Sequence, residues 1–261
     1  MNLTNETSPQ VPILRQRMDA FYAASNDYLA FQQPSHNTQE WAYVKEAIRQ
    51  HLQGHPTCRV LEFGTGRTGF AADLGELRSA VRFTVQDVTP FNEDYLRGQA
   101  DEVYIGEIGG LHGPYDVIFS TFVYEHVSDP KRTLEKLLDL LVPQGSLFLF
   151  CPRYDVPFYL SHSADHYGSM RRLAVAVYLS WRRLVTLLTR QPAFIVHCDP
   201  ALLHMEWQID RDAIHWASLI DLQMFFRNRG RLRKLPIHSG SVKDWCVKNF
   251  LRINVRFDRA A

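Results

Sequence analysis

The run Arg59-Val-Leu-Glu-Phe-Gly-Thr-Gly-Arg-Thr-Gly-Phe70 constrains the fold more than any other part of the chain. An apolar stretch, Val60 to Phe63, breaks into three glycines and then into a helix-like segment from Phe70. This pattern predicts strand, tight turn and helix. Glycine allows positive φ and lets a ligand approach where a Cβ would clash, and the helix that follows presents unpaired N–H groups at its start. An acidic side chain, Glu62, sits at the end of the strand.

The same alternation continues downstream. Val81 to Val85 predicts a second strand ending at Gln86-Asp87, followed by a short helix over 91–99. Glu102 to Ile105 predicts a third strand ending at Gly106-Glu107, and Tyr115 to Ser120 a fourth. A helix starting at Asp129-Pro130, with proline in its first turn, runs to Leu141. After a turn at Pro143-Gln-Gly145, Ser146 to Phe150 is wholly apolar, as a strand covered on both faces should be. Leu232 to Ile237 and Ile253 to Phe257 add a sixth and a seventh. The expected class is α/β: a doubly wound, Rossmann-like, mostly parallel seven-stranded sheet with helices on both faces and an inserted helical cap.

Two amphipathic segments, 11–31 and 38–53, precede the first strand. The alternation lapses over 152–212, where a helix near 169–189 and a strand over Ala193 to His197 are expected, and resumes with a helix from His215 to Asn228. The predicted organisation is a helical segment over 1–54, an α/β core over 55–151, a substrate cap over 152–212 and the rest of the core over 213–261.

A formal net charge of +1 supplies no global field for nucleic acid or membrane. The four cysteines are scattered without a Cys-x-x-Cys pair, as in reduced, buried thiols. The polar first ten residues lack the apolar centre of a secretory signal, so a cytoplasmic location is expected. No uncharged apolar run approaches the ~18 residues of a membrane-spanning helix.

In open α/β sheets, ligands bind beyond the carboxyl ends of the strands. Here those ends carry Gly64, Gly66 and Gly69, then Asp87, Glu107 and Ser120-Thr-Phe122. A carboxylate ~20 residues past the turn is placed to accept from the two hydroxyls of a ribose. An acid after the third strand can accept from an exocyclic adenine amine. Together these residues describe an adenosine site. The glycine spacing by itself also fits a nicotinamide dinucleotide, whose pyrophosphate meets the helix start, so an oxidoreductase or epimerase is the runner-up.

The whole set, from Val60-Leu-Glu-Phe-Gly-Thr-Gly66 through Gln86-Asp87, Gly106-Glu107 and Tyr115 to Pro130 to Leu141-Val-Pro-Gln-Gly-Ser-Leu147, resembles the class I S-adenosylmethionine-dependent methyltransferases, nearest the small-molecule branch typified by ubiquinone and menaquinone biosynthesis enzymes. The likeness is good over roughly 55–150 and weaker over 213–237. It implies that S-adenosyl-L-methionine is the cofactor and that Glu62 meets its ammonium, with Gly64, Thr65 and Gly66 passing beneath it. It further implies that Asp87 holds the ribose with Val88 beside the adenine, that Glu107 and Ile108 contact the adenine edge and face, and that Phe122 lies near the cofactor. One departure is visible: the family's third glycine comes one residue later here, at Gly69.

A base is needed only where the acceptor must lose a proton. His126, on the loop after the fourth strand, is the candidate, since histidine titrates near working pH. Tyr124, His162, His166 and Tyr167 are candidates for the acceptor pocket. His162, Asp165 and His166 lack a third strong ligand nearby, so no metal is expected. Residues 151–235 hold 12 Arg or Lys against 7 Asp or Glu, an excess of +5, and eleven of the 12 are arginine, which suits carboxylate or phosphate. The expected reaction is methylation, on oxygen by preference, of a small polar or anionic acceptor such as a saccharide, a nucleotide sugar or a carboxylated metabolite. No nucleic-acid partner is expected. The basic, apolar stripe over 170–189 also allows contact with a membrane surface.

Overall fold

A computed structural model of the chain describes residues 16, 18, 20–23, 32–197 and 212–261. The helix expected over 11–31 lies for the most part outside the described residues. Helix α1, Thr38–Leu52, leads into β1, Cys58–Phe63. There follow α2, Phe70–Asp73; β2, Val81–Asp87; α3, Glu93–Arg97; β3, Glu102–Ile105; and β4, Tyr115–Thr121. Then come α4, Pro130–Leu140; β5, Leu141–Pro152; α5, Ser169–Thr189; and α6, Leu219–Phe226. Strand β6, Gly230–Lys234, helix α7, Val242–Phe250, and strand β7, Arg252–Arg259, close the chain.

The seven strands form one sheet in the order β3-β2-β1-β4-β5-β7-β6. Strands β1 to β5 pair in parallel, while β7 runs antiparallel to both β5 and β6. Successive β1 side chains alternate between two cores. Leu61 and Phe63 pack with Leu134, Leu137 and Leu140 of α4 and with Leu222, Phe225 and Phe226 of α6. Val60 packs on the other face with Trp41, Val44 and Ile48 of α1 and Phe70 of α2. Helices therefore cover both faces, as the apolar strands predicted.

Several boundaries differ from expectation for local reasons. Helix α6 starts at Leu219 because the Ser218 hydroxyl accepts from Asp221 N–H as its cap. The preceding residues are tied elsewhere: His215 N–H donates to the Glu125 carbonyl and Trp216 N–H to the Ile195 carbonyl. The expected strand over Ala193 to His197 is reduced to one bridge, Val196 to His215. Strand β6 starts and ends earlier than expected. The turn at Pro143-Gln-Gly145 lies within the span of β5, with Gln144 at φ +64° and a shift of register between Tyr115 and Val117. Helix α7 was not anticipated, although Ser241, three residues before Asp244, is a cap signature and its hydroxyl does accept from Asp244 N–H.

Candidate functional site

The carboxyl ends of β3, β2, β1 and β4 are neighbours in the sheet, so Glu107, Asp87, Glu62 and the Phe122–His126 loop stand along one edge. The turn after β1 is stitched to β2: Gly64 and Thr65 N–H both donate to the Gln86 carbonyl, at 2.9 and 3.0 Å. The Thr65 hydroxyl lies 3.0 Å from that same carbonyl oxygen, so Thr65 pins the turn. Gly64 and Gly66 have φ of +70° and +55°. A Cβ on Gly64 would fall 2.1 Å from the Val123 side chain, so this glycine admits the β4 loop against the turn. The displaced third glycine has a separate reason. A Cβ on Gly69 would stand 2.8 Å from the Ser35 carbonyl, which accepts from Gly69 N–H.

Two buried carboxylates meet at this turn. Asp87 accepts from Gly66 N–H at 2.6 Å through one oxygen and from Thr89 N–H at 3.0 Å through the other. The Thr89 hydroxyl, at 3.3 Å, and the Val88 N–H also bond this carboxylate, so most of its about four lone-pair positions are engaged within the protein. Burial pushes its pKa up, opposed by these hydrogen bonds. Glu62 is more exposed to the same penalty. It is buried, one of its oxygens has no hydrogen-bond partner among the described residues, and burial, moderated by Thr68 and reinforced by Asp87, pushes its pKa up to about 8. At the lip of the same edge, Val88 and Phe91 are 41% and 44% exposed. Glu107 is exposed as well, whereas Ile108 is buried in the core with Leu111 and Leu137.

After β4, Phe122 takes φ +57°. Such a conformation in a bulky residue is strained and is found where surrounding structure enforces it. The Arg252 guanidinium stands 4.8 Å over the Phe122 ring and 3.5 Å from Glu40 of α1. A single 3₁₀ turn, Tyr124–His126, follows. His126 Nδ1 lies 3.2 Å from Asp212 and Nε2 3.9 Å from Glu125. Burial alone would lower the imidazole pKa, but Asp212 and then Glu125 outweigh it and push it up to about 10. The Tyr22 hydroxyl donates to Asp212 at 2.8 Å. The expectation was a base titrating near neutrality; the two carboxylates beside the ring instead favour its imidazolium form.

The acceptor candidates separate. Tyr124 is buried, with its hydroxyl 3.3 Å from the Pro130 carbonyl oxygen and its ring edge-on to His215. Tyr167 is also buried and its hydroxyl pairs with His197 Nε2. His162 is exposed and pairs with Asp165, which also holds Arg172. His166 is exposed beside the Tyr167 ring. At the opposite end of the sheet, His51, Cys58 and Asp116 bring possible ligand atoms within 4.8 Å. Asp116 is engaged there by Arg59 N–H at 2.7 Å, with the Arg59 guanidinium 3.6 Å away, so it acts as a strand-end cap.

Comparison with known proteins agrees with this geometry. A model of the methyltransferase domain matches residues 14–226. The chain belongs to this methyltransferase family. Over 122 residues it is 29% identical to a malonyl-[acyl-carrier protein] O-methyltransferase of Porphyromonas gingivalis (strain ATCC BAA-308 / W83). That match covers 41% of this chain and 48% of the relative, so the chain spans about half the length of the curated relative it matches. The CurJ carbon methyltransferase superposes with a TM-score of 0.50 at 15% identity, covering 84% of this chain and 54% of that one. The plantazolicin methyltransferase BpumL, in complex with a pentazolic analogue and SAH, gives 0.50 at 9%, covering 97% and 99%. At such identities the likeness is one of fold. The resemblance to class I S-adenosylmethionine-dependent methyltransferases holds, and the nicotinamide reading gives way to it.

Sequence reasoning missed several residues around this methyltransferase's strand ends. Asp212 and Arg252 each lie far in sequence from the group they meet, while Glu125, next to His126, carries no local signal of its burial. Phe91 stood four residues beyond Asp87 and was visible as an aromatic just after a strand end. Asp155 was also missed; its buried carboxylate pairs with Arg153 and accepts from the Ser218 hydroxyl and Ile220 N–H, both at 3.0 Å.

Proposed function

We propose that the chain methylates an anionic oxygen acceptor, a carboxylate by preference, using S-adenosylmethionine. When bound, the cofactor supplies a methyl group activated on a sulfonium, for an in-line displacement with a good leaving group. The residues present fit such a ligand. The buried, unpartnered oxygen of Glu62 needs a cationic donor, and an amino-acid ammonium is one. Asp87 can meet ribose hydroxyls in exchange for its long bond to the Thr89 hydroxyl, Val88 and Phe91 offer exposed apolar surface to a base, and Glu107 can accept from its amine. Thr65 and the glycines hold the turn, and Phe122 bounds the methyl-transfer side.

The observation that carries the choice of acceptor is His126 between Asp212 and Glu125. An imidazolium has no lone pair with which to take a proton, so it serves poorly for a saccharide hydroxyl. A carboxylate arrives already ionised and needs no base, and the imidazolium can donate a charge-assisted hydrogen bond to it. The arginine-rich segment between β5 and α6, read as the acceptor cap, adds positive charge. The relative from Porphyromonas gingivalis, named for O-methylation of a malonyl group, accords with this choice.

The test is methyl transfer from labelled cofactor to matched small acceptors bearing a carboxylate, a hydroxyl or an amine, carboxylated sugars included. The expected product is an ester that releases methanol in mild alkali. Label in an alkali-stable ether or amine would overturn the choice of acceptor.

A further inference from the structure

Helix α5 shows two opposite faces. Val175, Ala176, Leu179, Arg183 and Thr186 are buried. Arg183 pairs with Asp221 and donates to the Trp216 carbonyl at 2.8 Å, which fixes this face onto α6 and the segment before it. On the far side, Met170, Leu173, Val177, Trp181, Leu184 and Leu188 are all exposed, between 45% and 80%. Their spacing of three and four residues keeps them on one stripe along the whole helix, which at 21 residues is ~31 Å long. No charged residue interrupts the stripe. Phe158, 70% exposed with φ +64°, lines a crevice with Ala176 and Ser180 and so extends the apolar surface sideways.

The charges around the stripe select its occupant. Residues 169–190 contain five arginines and no Asp or Glu. Arg171 and Arg182 lie on one flank, over the Tyr167 and Tyr178 rings at 3.6 and 5.9 Å. A second copy packed through this stripe would bring these cations together in the antiparallel arrangement, and the helix has no carboxylate to answer them in either direction. A surface that is apolar below and negative at its rim complements the pattern on both counts. We propose that α5 lies in the interface of a bilayer containing anionic lipid, with its apolar stripe in the acyl boundary and Arg171 and Arg182 among the headgroups. Trp181, in mid-stripe, is a residue type favoured on the apolar face of such helices.

Vesicle flotation of the whole chain tests this, with phosphatidylcholine vesicles compared to vesicles in which one lipid in four is phosphatidylglycerol. Binding to the anionic vesicles is expected to be at least ~10-fold tighter, as two nearby arginines imply, and to weaken with salt. Val177→Glu combined with Trp181→Glu should abolish it, while Arg171→Gln with Arg182→Gln should remove only the preference for anionic lipid. Affinity for S-adenosylhomocysteine should be unchanged in both, which shows that they fold and keeps this outcome separate from the methyltransferase reading. Wild type that stays unbound, or a glutamate variant that binds like wild type, would overturn the proposal. So would a wild-type dimer that the glutamate variant converts to monomer, which would make a second copy the occupant.

Discussion

At the scale of single residues, the site is a set of ionisable groups held away from their ordinary protonation. Glu62 is raised to about 8 against an ordinary value near 4.5. The folded state then keeps a proton that the unfolded chain has lost, so stability falls as pH rises through that window. Glu62→Gln removes the penalty. Its melting temperature should exceed that of wild type by several degrees at pH 8.5, with the gap closing towards pH 5, when followed by calorimetric scanning. His126 has the opposite chemistry with the same sign: raised to about 10, its ion pair stabilises the fold fully below about 6.5 and is lost as pH climbs through 10. Asp212→Asn should return the ring towards ordinary titration. Turnover of the variant at saturating cofactor should therefore fall between pH 6 and 8.5, where wild type stays level. A wild-type rate that climbs through neutrality would mean the ring works as a base after all.

At the scale of elements, legibility followed sequence distance. The strands and the glycine turn were readable because apolar runs and their breakers are contiguous. Helix α5 was readable end to end for the same reason, since its period is uninterrupted. What could not be read was tertiary. Nothing local announces that Asp221 would gather Ala193 N–H at 2.9 Å, Phe194 N–H at 3.1 Å and the buried Arg183, or that this would hold α5 and the residues after it to α6. His215 is similar: buried, lowered to about 3 and so neutral, it lies with Nδ1 2.9 Å from the Tyr124 carbonyl oxygen, a partner 91 residues away. Breaking the Arg183–Asp221 pair leaves a buried charge. Asp221→Asn or Arg183→Met should each cost ~3–5 kcal/mol in denaturant unfolding, and the double change to Met and Asn should cost less than the sum of the singles. Additive losses would show that the pair is not coupled.

At the scale of the whole molecule, the order β3-β2-β1-β4 brings three carboxylates and the His126 loop, spread over 65 positions from Glu62 to the end of that loop, to one edge of the sheet. That convergence was expected from strand-end chemistry. The protonation state of His126 was not, because it depends on Asp212, which lies beyond β5 and α5. The antiparallel β7 also brings Arg252 to the same edge, against Phe122 and Glu40. No helix among the described residues is long and apolar enough to cross a membrane, which leaves α5 as a face to lie on one rather than to span it.

In the proposed cofactor site, Glu62, protonated in the free protein, gives up its proton to receive the cofactor's ammonium. Isothermal titration with S-adenosylhomocysteine at pH 7, in two buffers of different ionisation enthalpy, counts the protons exchanged on binding. Release of ~1 proton per site is expected, with both that release and much of the affinity lost in Glu62→Gln. Proton-neutral binding that Glu62→Gln leaves unchanged would contradict it.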